Sequence, residues 1–131
     1  MEANELRTGN LVKCLGEERE LLGITKHNGS NETTLHYAEF KNVIPMKLFH
    51  LKPIPLTEKW IKDLGLIKVI GWNDVVFWRL PEDKNSNDCF ELMETLQGYE
   101  LPSGKICEFV HQLQNCYFFH ELTGKELTLN K

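Results

Sequence analysis

The chain has 131 residues, of which 41% are hydrophobic and 26% are charged, and its formal net charge is −4. This composition is typical of a soluble globular domain, or of two tightly joined small subdomains, and it excludes an intrinsically disordered chain. No apolar run approaches the roughly 20 residues that cross a bilayer, and the first ten residues lack the pattern of a signal peptide, so we expect a cytoplasmic protein.

The first fifty residues predict an antiparallel β structure. Three short segments are rich in apolar and β-branched side chains, and the segments between them contain Gly and Asn, which tolerate positive φ. The predicted strands are residues 10–15 (NLVKCL), 20–25 (ELLGIT) and 33–40 (TTLHYAEF). The last strand alternates with a period of two, with Leu35 and Tyr37 on one face and His36 and Ala38 on the other. We expect two hairpins that build a small barrel-like or curved sheet.

A capped helix is predicted directly after a proline pair. Pro53 and Pro55 hold the chain extended, and Thr57 suits the N-cap because its hydroxyl accepts a hydrogen bond from a first-turn amide. Gly65 is placed to end the helix in the left-handed conformation. The side of the helix that is predicted to be buried carries Trp60, Ile61 and Leu64.

A second β region and a final helix follow. The predicted strands are residues 74–80 (DVVFWRL), 88–93 (DCFELM) and 105–110 (KICEFV), and the turn sequence LPSG precedes the last of them. They predict an antiparallel meander. The strand at 74–80 has one apolar face and a mostly apolar reverse face. Val110, Leu113 and Tyr117 then follow a helical spacing, with Gly124 as the stop.

Together these elements predict an α+β fold. Residues 1–52 are expected to form a small N-terminal antiparallel β subdomain that is barrel-like. Residues 53–131 are expected to hold the capped helix and a short antiparallel sheet covered by the C-terminal helix. The proline pair marks the seam between the two parts, which we expect to make one compact unit.

The segment VHQLQNCYFFHELTG gathers two histidines, a cysteine and three aromatic residues. Cys116 and His120 lie one helical turn apart, which suits a nucleophile and its base. A third group that would orient the base is not visible, and large apolar residues at helical spacing normally cover a sheet. We therefore expect these groups to seal a core, and we predict no catalytic residue.

No metal site and no cofactor are predicted either. The four cysteines, at positions 14, 89, 107 and 116, include no CxxC pair, and they predict buried thiols rather than disulfides or zinc ligands. The motifs GxxxxGK[ST], GxGxxG, GxSxG and HExxH do not occur. Their absence favours a binding function over an enzymatic one.

Charge is distributed unevenly along the chain. Residues 41–68 contain six lysines and two acids, whereas residues 81–109 contain seven acids and two lysines. Such a distribution can steer encounter with a charged partner, or it can simply be a solvated surface. On the first interpretation the candidate protein contacts are Glu82, Asp83, Asp88, Glu91, Glu94, Glu100 and Trp72, the last of which lies outside any periodic pattern and is either a core lid or a contact residue. The candidate RNA contacts are Lys41, Lys47, Lys52, Lys59 and Lys62.

Three blocks of the sequence resemble a group of short proteins carried by phages and mobile elements of Bacteroidota. The blocks are NELRTGNLV, PIPLTEKWIKDLG and VHQLQNCYFFHELTGKEL, which match the patterns ELRxGNxV, PIPLTExW and VHQLQNxYF in order. The resemblance brings no catalytic residues with it, and Cys116 and His120 depart from its pattern. It implies an inhibitor of a host defence that works by direct binding, most concretely an anti-CRISPR protein against an RNA-guided nuclease such as an RNA-targeting type VI effector with its guide RNA.

Two alternatives stay open. One is a structural or packaging accessory of the phage that forms a homo-oligomer. The other is a nucleic-acid-binding module, in which lysines meet phosphates and Trp72 or Trp78 stacks on bases. A pI near 5.7 opposes nucleic-acid binding as the sole function, so we expect nucleic acid only within a protein complex.

Overall fold

The computed structural model describes residues 5–28, 34–83, 89–119 and 127. All strand pairs within them are antiparallel, and two α-helices complete the structure, so the predicted α+β class is confirmed. The chain divides into two compact units, Met1–Ile54 and Pro55–Lys131. The boundary predicted from the sequence lies after residue 52, next to the same proline pair. Within the described residues no helix is long and apolar enough to cross a membrane.

Six strands of the first unit form two three-stranded sheets. One sheet has the order β2-β1-β6 and consists of β1 (Leu11–Cys14), β2 (Glu17–Glu20) and β6 (Leu51–Lys52). The other has the order β3-β4-β5 and consists of β3 (Gly23–Asn28), β4 (Thr34–Phe40) and β5 (Val43–Lys47). The barrel-like arrangement predicted for residues 1–52 is wrong, because among the described strands each sheet keeps two edge strands and no closed barrel forms.

Both sheets contribute side chains to one hydrophobic core. In β4, Ala38 and Phe40 are buried while Glu39 between them is exposed, as the pleat of a strand requires. Ile24 of β3 and Met46 of β5 lie opposite Ala38 and pack against the same core. The buried members of this core are Leu6, Val12, Cys14, Leu21, Ala38, Phe40, Leu48 and Leu51.

Strand β5 was not predicted from the sequence because Pro45 interrupts it. Ala38 pairs with Met46 and Phe40 pairs with Val43, so two residues of β5, Ile44 and Pro45, lie opposite one residue of β4. An extra residue of this kind is a β-bulge, which leaves a position outside the regular ladder. A proline is tolerated at such a position because no donor is needed there.

The predicted strand at residues 20–25 is also wrong in its limits. The segment GEER was expected to be a turn, but Glu17–Glu20 forms β2 and pairs with β1 from Cys14 onward. The connection needs only Leu15 and Gly16, whose φ values of 55° and 80° are those of a tight two-residue hairpin. Leucine is unusual in this conformation, because its Cβ crowds the backbone when φ is positive.

Replacing Leu15 by Asn is expected to raise the free energy of unfolding by about 1 kcal/mol, since Asn-Gly is a favoured pair for this turn. Urea denaturation of the two proteins measures the change. Leu22→Asn serves as the matched control, because Leu22 is also exposed but has no positive φ. Equal effects of the two substitutions would show that the backbone at position 15 carries no strain.

The second unit contains one five-stranded meander with the order β11-β10-β9-β8-β7. Its strands are β7 (Ile67–Ile70), β8 (Val76–Arg79), β9 (Leu92–Thr95), β10 (Gly98–Glu100) and β11 (Ile106–Cys107). The predicted antiparallel meander is therefore confirmed, but the strand predicted at 88–93 is wrong in its limits, because β9 begins at Leu92 and ends at Thr95. Strands β7 and β10 were not predicted, and β11 is much shorter than the predicted segment at 105–110, because helix α2 begins at Val110.

Helix α1 (Glu58–Asp63) has the predicted caps. The Thr57 hydroxyl accepts a hydrogen bond from the Trp60 amide at 3.4 Å. Gly65 has a φ of 94°, and the amides of Gly65 and Leu66 donate to the carbonyls of Lys62 and Ile61. This pair of bonds is a Schellman motif, which satisfies carbonyls that the helix end would leave open. Trp60, which was predicted to be buried, is only half-buried, whereas Ile61 is fully buried.

Helix α2 (Val110–Phe119) covers the sheet as predicted. Val110, Leu113 and Tyr117 are buried, and the Tyr117 ring meets Phe90 edge-on with 5.2 Å between the ring centroids. The Gln112 side chain accepts hydrogen bonds from the two amides that precede the helix, which caps its first turn. The predicted helix stop, Gly124, lies outside the described residues.

Candidate functional site

The five-stranded sheet has two different faces. Because successive side chains of a strand alternate, Trp78, Leu92 and Cys107 lie on one face, and all three are buried. Tyr99 pairs with Cys107 and so belongs to this face, which we call the core face. Burial raises the pKa of Tyr99, and the nearby carboxylates of Glu94 and Glu58 raise it further.

The reverse face carries one continuous row of side chains across all five strands. Consecutive cross-strand partners build this row, and its members are Val69, Phe77, Met93, Glu100 and Ile106. Four of the five are apolar, yet each keeps part of its surface exposed, up to 36% for Ile106. We call this row the open face. Partly exposed apolar side chains in a contiguous row are typical of a contact surface.

An ion pair lies beside the open face. Arg79 donates to Glu91 Oε2 from Nη2 at 2.7 Å and from Nε at 3.0 Å. The Arg79 guanidinium also lies over the Phe77 ring, 5.7 Å from its centroid. The charge of Glu91 is therefore matched within the protein. Glu100 has no ion-pair partner in the part of the chain that the structure describes.

Exposed apolar residues continue the surface at one end of the sheet. In an antiparallel meander the β7–β8 and β9–β10 turns lie at the same end, and they carry Trp72 and Leu96. Trp72 is 86% exposed, so it is not a core lid. Gly71, next to it, approaches the Phe77 ring so closely that an added Cβ would lie 3.0 Å from the ring. The Trp72 turn is therefore contiguous with the open face.

Comparison of the chain with protein-family models, curated proteins and solved structures found no match.

The acidic residues selected from the sequence do not form one strip. Glu100 lies on the open face, and Glu91 lies at its margin. Glu94 lies on the core face, where its carboxylate accepts a hydrogen bond from the Trp78 indole at 2.7 Å. Glu82 is exposed in the short 3₁₀ helix Pro81–Asp83. The side chain of Asp83 and the whole of Asp88 lie outside the described residues. Because successive side chains of a strand point to opposite faces of the sheet, acids that are close in sequence lie on different faces.

The five selected lysines are distributed over both units. Lys41, Lys47 and Lys52 belong to the first unit, and Lys59 and Lys62 belong to helix α1 in the second. All five are exposed. Lys62 lies 3.9 Å from Glu58 one turn earlier, so part of its charge is matched within the helix. Lys52 lies beside another lysine that the sequence-based selection missed, Lys13 of β1.

Of the Cys116–His120 pair considered in the sequence analysis, the structure describes Cys116 only. Burial raises the pKa of the Cys116 thiol, which opposes formation of the thiolate that a nucleophile requires. His120 lies outside the described residues. Gln114 is buried and donates from its side-chain nitrogen to the Leu127 carbonyl at 3.2 Å, so this amide serves packing. All four cysteines are free thiols, with Cys14 and Cys107 buried and Cys89 and Cys116 half-buried.

Burial also raises the pKa of Cys107 to about 12, and its thiol donates to the Phe109 carbonyl at 3.4 Å. The unfolded thiol loses its proton near pH 9, so above that value the unfolded state binds fewer protons and stability falls as pH rises. Between pH 8 and pH 10 we expect this residue to contribute a loss of about 1.4 kcal/mol in the free energy of unfolding. Urea denaturation at both values tests this, and Cys107→Ala should remove that part of the pH dependence. An unchanged dependence in the variant would contradict it.

Within residues 5–28, 34–83, 89–119 and 127, no group of three or more His, Cys, Asp or Glu side chains is arranged to hold a metal ion.

One feature of the sequence indicated the open face, namely the mostly apolar reverse face of the strand predicted at 74–80. It did not show which residues of the other strands join Phe77, because register across strands decides that.

Proposed function

We propose that this protein acts by docking onto another protein and carries out no chemistry of its own. The observation that supports this is the open face, a row of four partly exposed apolar side chains around one acid. Contact surfaces of this kind combine an apolar centre with a few charges that set the register of the partner. The exposed Trp72 adjoins this row, and tryptophan is among the residues that contribute most to binding energy at interfaces.

The partner that fits this face has a definite chemistry. It presents an apolar patch to Phe77 and Met93 and a lysine or arginine to Glu100, which lies between Met93 and Ile106 in the row. It also offers a recess for the Trp72 ring. An RNA strand is disfavoured here, because its phosphates would meet the carboxylate of Glu100, which is unpaired within the described part of the chain.

The partner we propose is an RNA-guided nuclease of a Bacteroidota host, held in the cytoplasm with its guide RNA. The support for this choice is the resemblance of three sequence blocks to short phage and mobile-element proteins. An RNA-guided nuclease holds its guide–target duplex in a positively charged channel, and a positively charged surface suits an acid set among apolar side chains. The protein is then an anti-CRISPR inhibitor, and a type VI effector is the most concrete target.

Cleavage assays test this proposal. Purified RNA-guided nucleases from Bacteroidota, type VI effectors included, are assayed on target RNA or DNA with increasing amounts of the protein. We expect at least one nuclease to be inhibited, with inhibition complete near one equivalent, because a docking inhibitor does not turn over. Inhibition far below one equivalent would indicate an enzyme. No binding to and no inhibition of any nuclease tested would contradict the proposal.

A packaging accessory remains the competing function. Size-exclusion chromatography with mass measurement separates it from an inhibitor, because a self-assembling protein exceeds its 15.3 kDa monomer mass as concentration rises. We expect the monomer mass at micromolar concentration.

A further inference from the structure

A cleft of about 370 Å³ opens on the first unit, at the outer side of the β2-β1-β6 sheet. Five of the described residues line it: Lys13, Leu15, Gly16, His50 and Lys52. They come from β1, from the β1–β2 turn, from the 3₁₀ helix Leu48–His50 that precedes β6, and from β6 itself. The volume lies within the roughly 300–1,000 Å³ range of small-molecule sites. Neither the open face nor the Trp72 turn contributes to this cleft.

Two lysines bring positive charge together in the cleft, and their mutual repulsion lowers the stability of the sheet. Lys13 and Lys52 are direct cross-strand partners in β1 and β6, and like charges placed opposite each other destabilise a sheet. Glu18 lies opposite Lys13 on the other side, but no ion pair of Lys13 or Lys52 occurs in the described part of the chain. An anion between the two lysines would remove their repulsion.

Backbone strain occurs at the same place. Leu15 has a φ of 55° and is 74% exposed, so neither its conformation nor its burial explains a leucine at this position. Strained residues cluster at ligand-binding and active sites. Here the strained turn holds an aliphatic side chain beside two ammonium groups, which suits a ligand that carries both an anion and an apolar part. Gly16, the next residue, has nothing within 4 Å of an added Cβ and leaves the entrance clear.

We infer that this cleft binds a phosphate ester, with Lys13 and Lys52 on the phosphate oxygens and Leu15 against the attached organic group. A phosphate carries the charge that two lysines match, and lysine binds it as a point charge from a flexible stem. The source is either a free nucleotide or the backbone of a single-stranded RNA. This inference does not depend on the protein partner of the open face.

Titration of the full-length, ¹⁵N-labelled protein tests the inference with three probes: inorganic phosphate, adenosine monophosphate and an eight-nucleotide single-stranded RNA. The Gly16 amide signal reports on the cleft, and the Gly104 amide signal, from a turn of the second unit, is the reference. We expect the Gly16 signal to shift with at least one probe while the Gly104 signal stays in place. Binding of the mononucleotide assigns a free nucleotide as the source, and binding of the RNA alone assigns the polymer.

Matched variants make the test specific to the cleft. The double substitution Lys13→Ala and Lys52→Ala is expected to weaken binding about tenfold or more, and for RNA to reduce the slope of log affinity against log salt by about 1.4. Lys26→Ala, at an exposed lysine of β3 that does not line the cleft, should leave affinity within about twofold because it makes no phosphate contact there. Lys13→Gln with Lys52→Gln repeats the test with the stems retained, should the alanine variant unfold. No shift of Gly16 with any probe, or equal affinity of the double variant and the wild type, would overturn the inference.

Discussion

Replacing Trp78 by Ala is expected to lower the free energy of unfolding by about 3–5 kcal/mol. Trp78 is 0% exposed at the centre of the core face, where Lys68 and Leu92 are its strand partners. Its removal leaves a large cavity in the five-stranded sheet. Its indole nitrogen also donates to the Glu94 carboxylate at 2.7 Å, so the variant loses a charge-assisted hydrogen bond as well.

Urea denaturation of Trp78→Ala, Trp78→Phe and Trp72→Ala measures this effect. Trp78→Phe keeps most of the buried ring and should lose about 1.5–3 kcal/mol, mainly through the missing hydrogen bond. Trp72→Ala should change stability by less than about 0.5 kcal/mol, because the ring is 86% exposed. A Trp78→Ala variant within about 1 kcal/mol of the wild type would show that the core face is wrongly assigned.

The double variant Trp72→Ala with Ile106→Lys is expected to bind the inhibited nuclease about 2–4 kcal/mol more weakly, a factor of roughly 30 to 1,000. Trp72 contributes a large exposed ring to the contact. A lysine at position 106 places an ammonium group beside Glu100, which then no longer attracts a cationic group of the partner. Ile106 is 36% exposed at the sheet edge, so the substitution should leave the fold intact.

Biolayer interferometry with the purified nuclease and guide RNA measures the affinities. Ile44→Lys is the matched control, because Ile44 is 81% exposed but lies in β5 of the first unit. It should bind as the wild type does. Equal weakening by Ile44→Lys and by the double variant would show that the contact is not confined to the open face, and no weakening by the double variant would remove the open face from the interface.

The features that were predicted correctly from the sequence are those that depend on a few adjacent residues. The cap at Thr57 and the helix end at Gly65 depend on a few consecutive positions, and both occur as predicted. The buried spacing of Val110, Leu113 and Tyr117 is equally local. Local patterns of this kind are sufficient because hydrogen bonds within one helical turn decide them.

The features that the sequence did not predict depend on register between distant strands. Strand β5 contains a proline that a bulge accommodates, and the bulge exists only relative to β4. Glu94 follows Met93 directly, yet alternation turns it to the core face, where the Trp78 indole binds it. The open face joins residues 69 to 106 through four strand pairings. No stretch of sequence contains that row.

Oxidative footprinting of the protein, alone and bound to the nuclease that it inhibits, tests docking through the open face most directly. Trp72 and Met93 are both oxidisable and both lie on the proposed contact surface, and Met46 of the first unit is the internal reference. Docking predicts that binding slows oxidation of Trp72 and Met93 at least severalfold while Met46 is unaffected. Unchanged oxidation of Trp72 and Met93 in a saturated complex would contradict it.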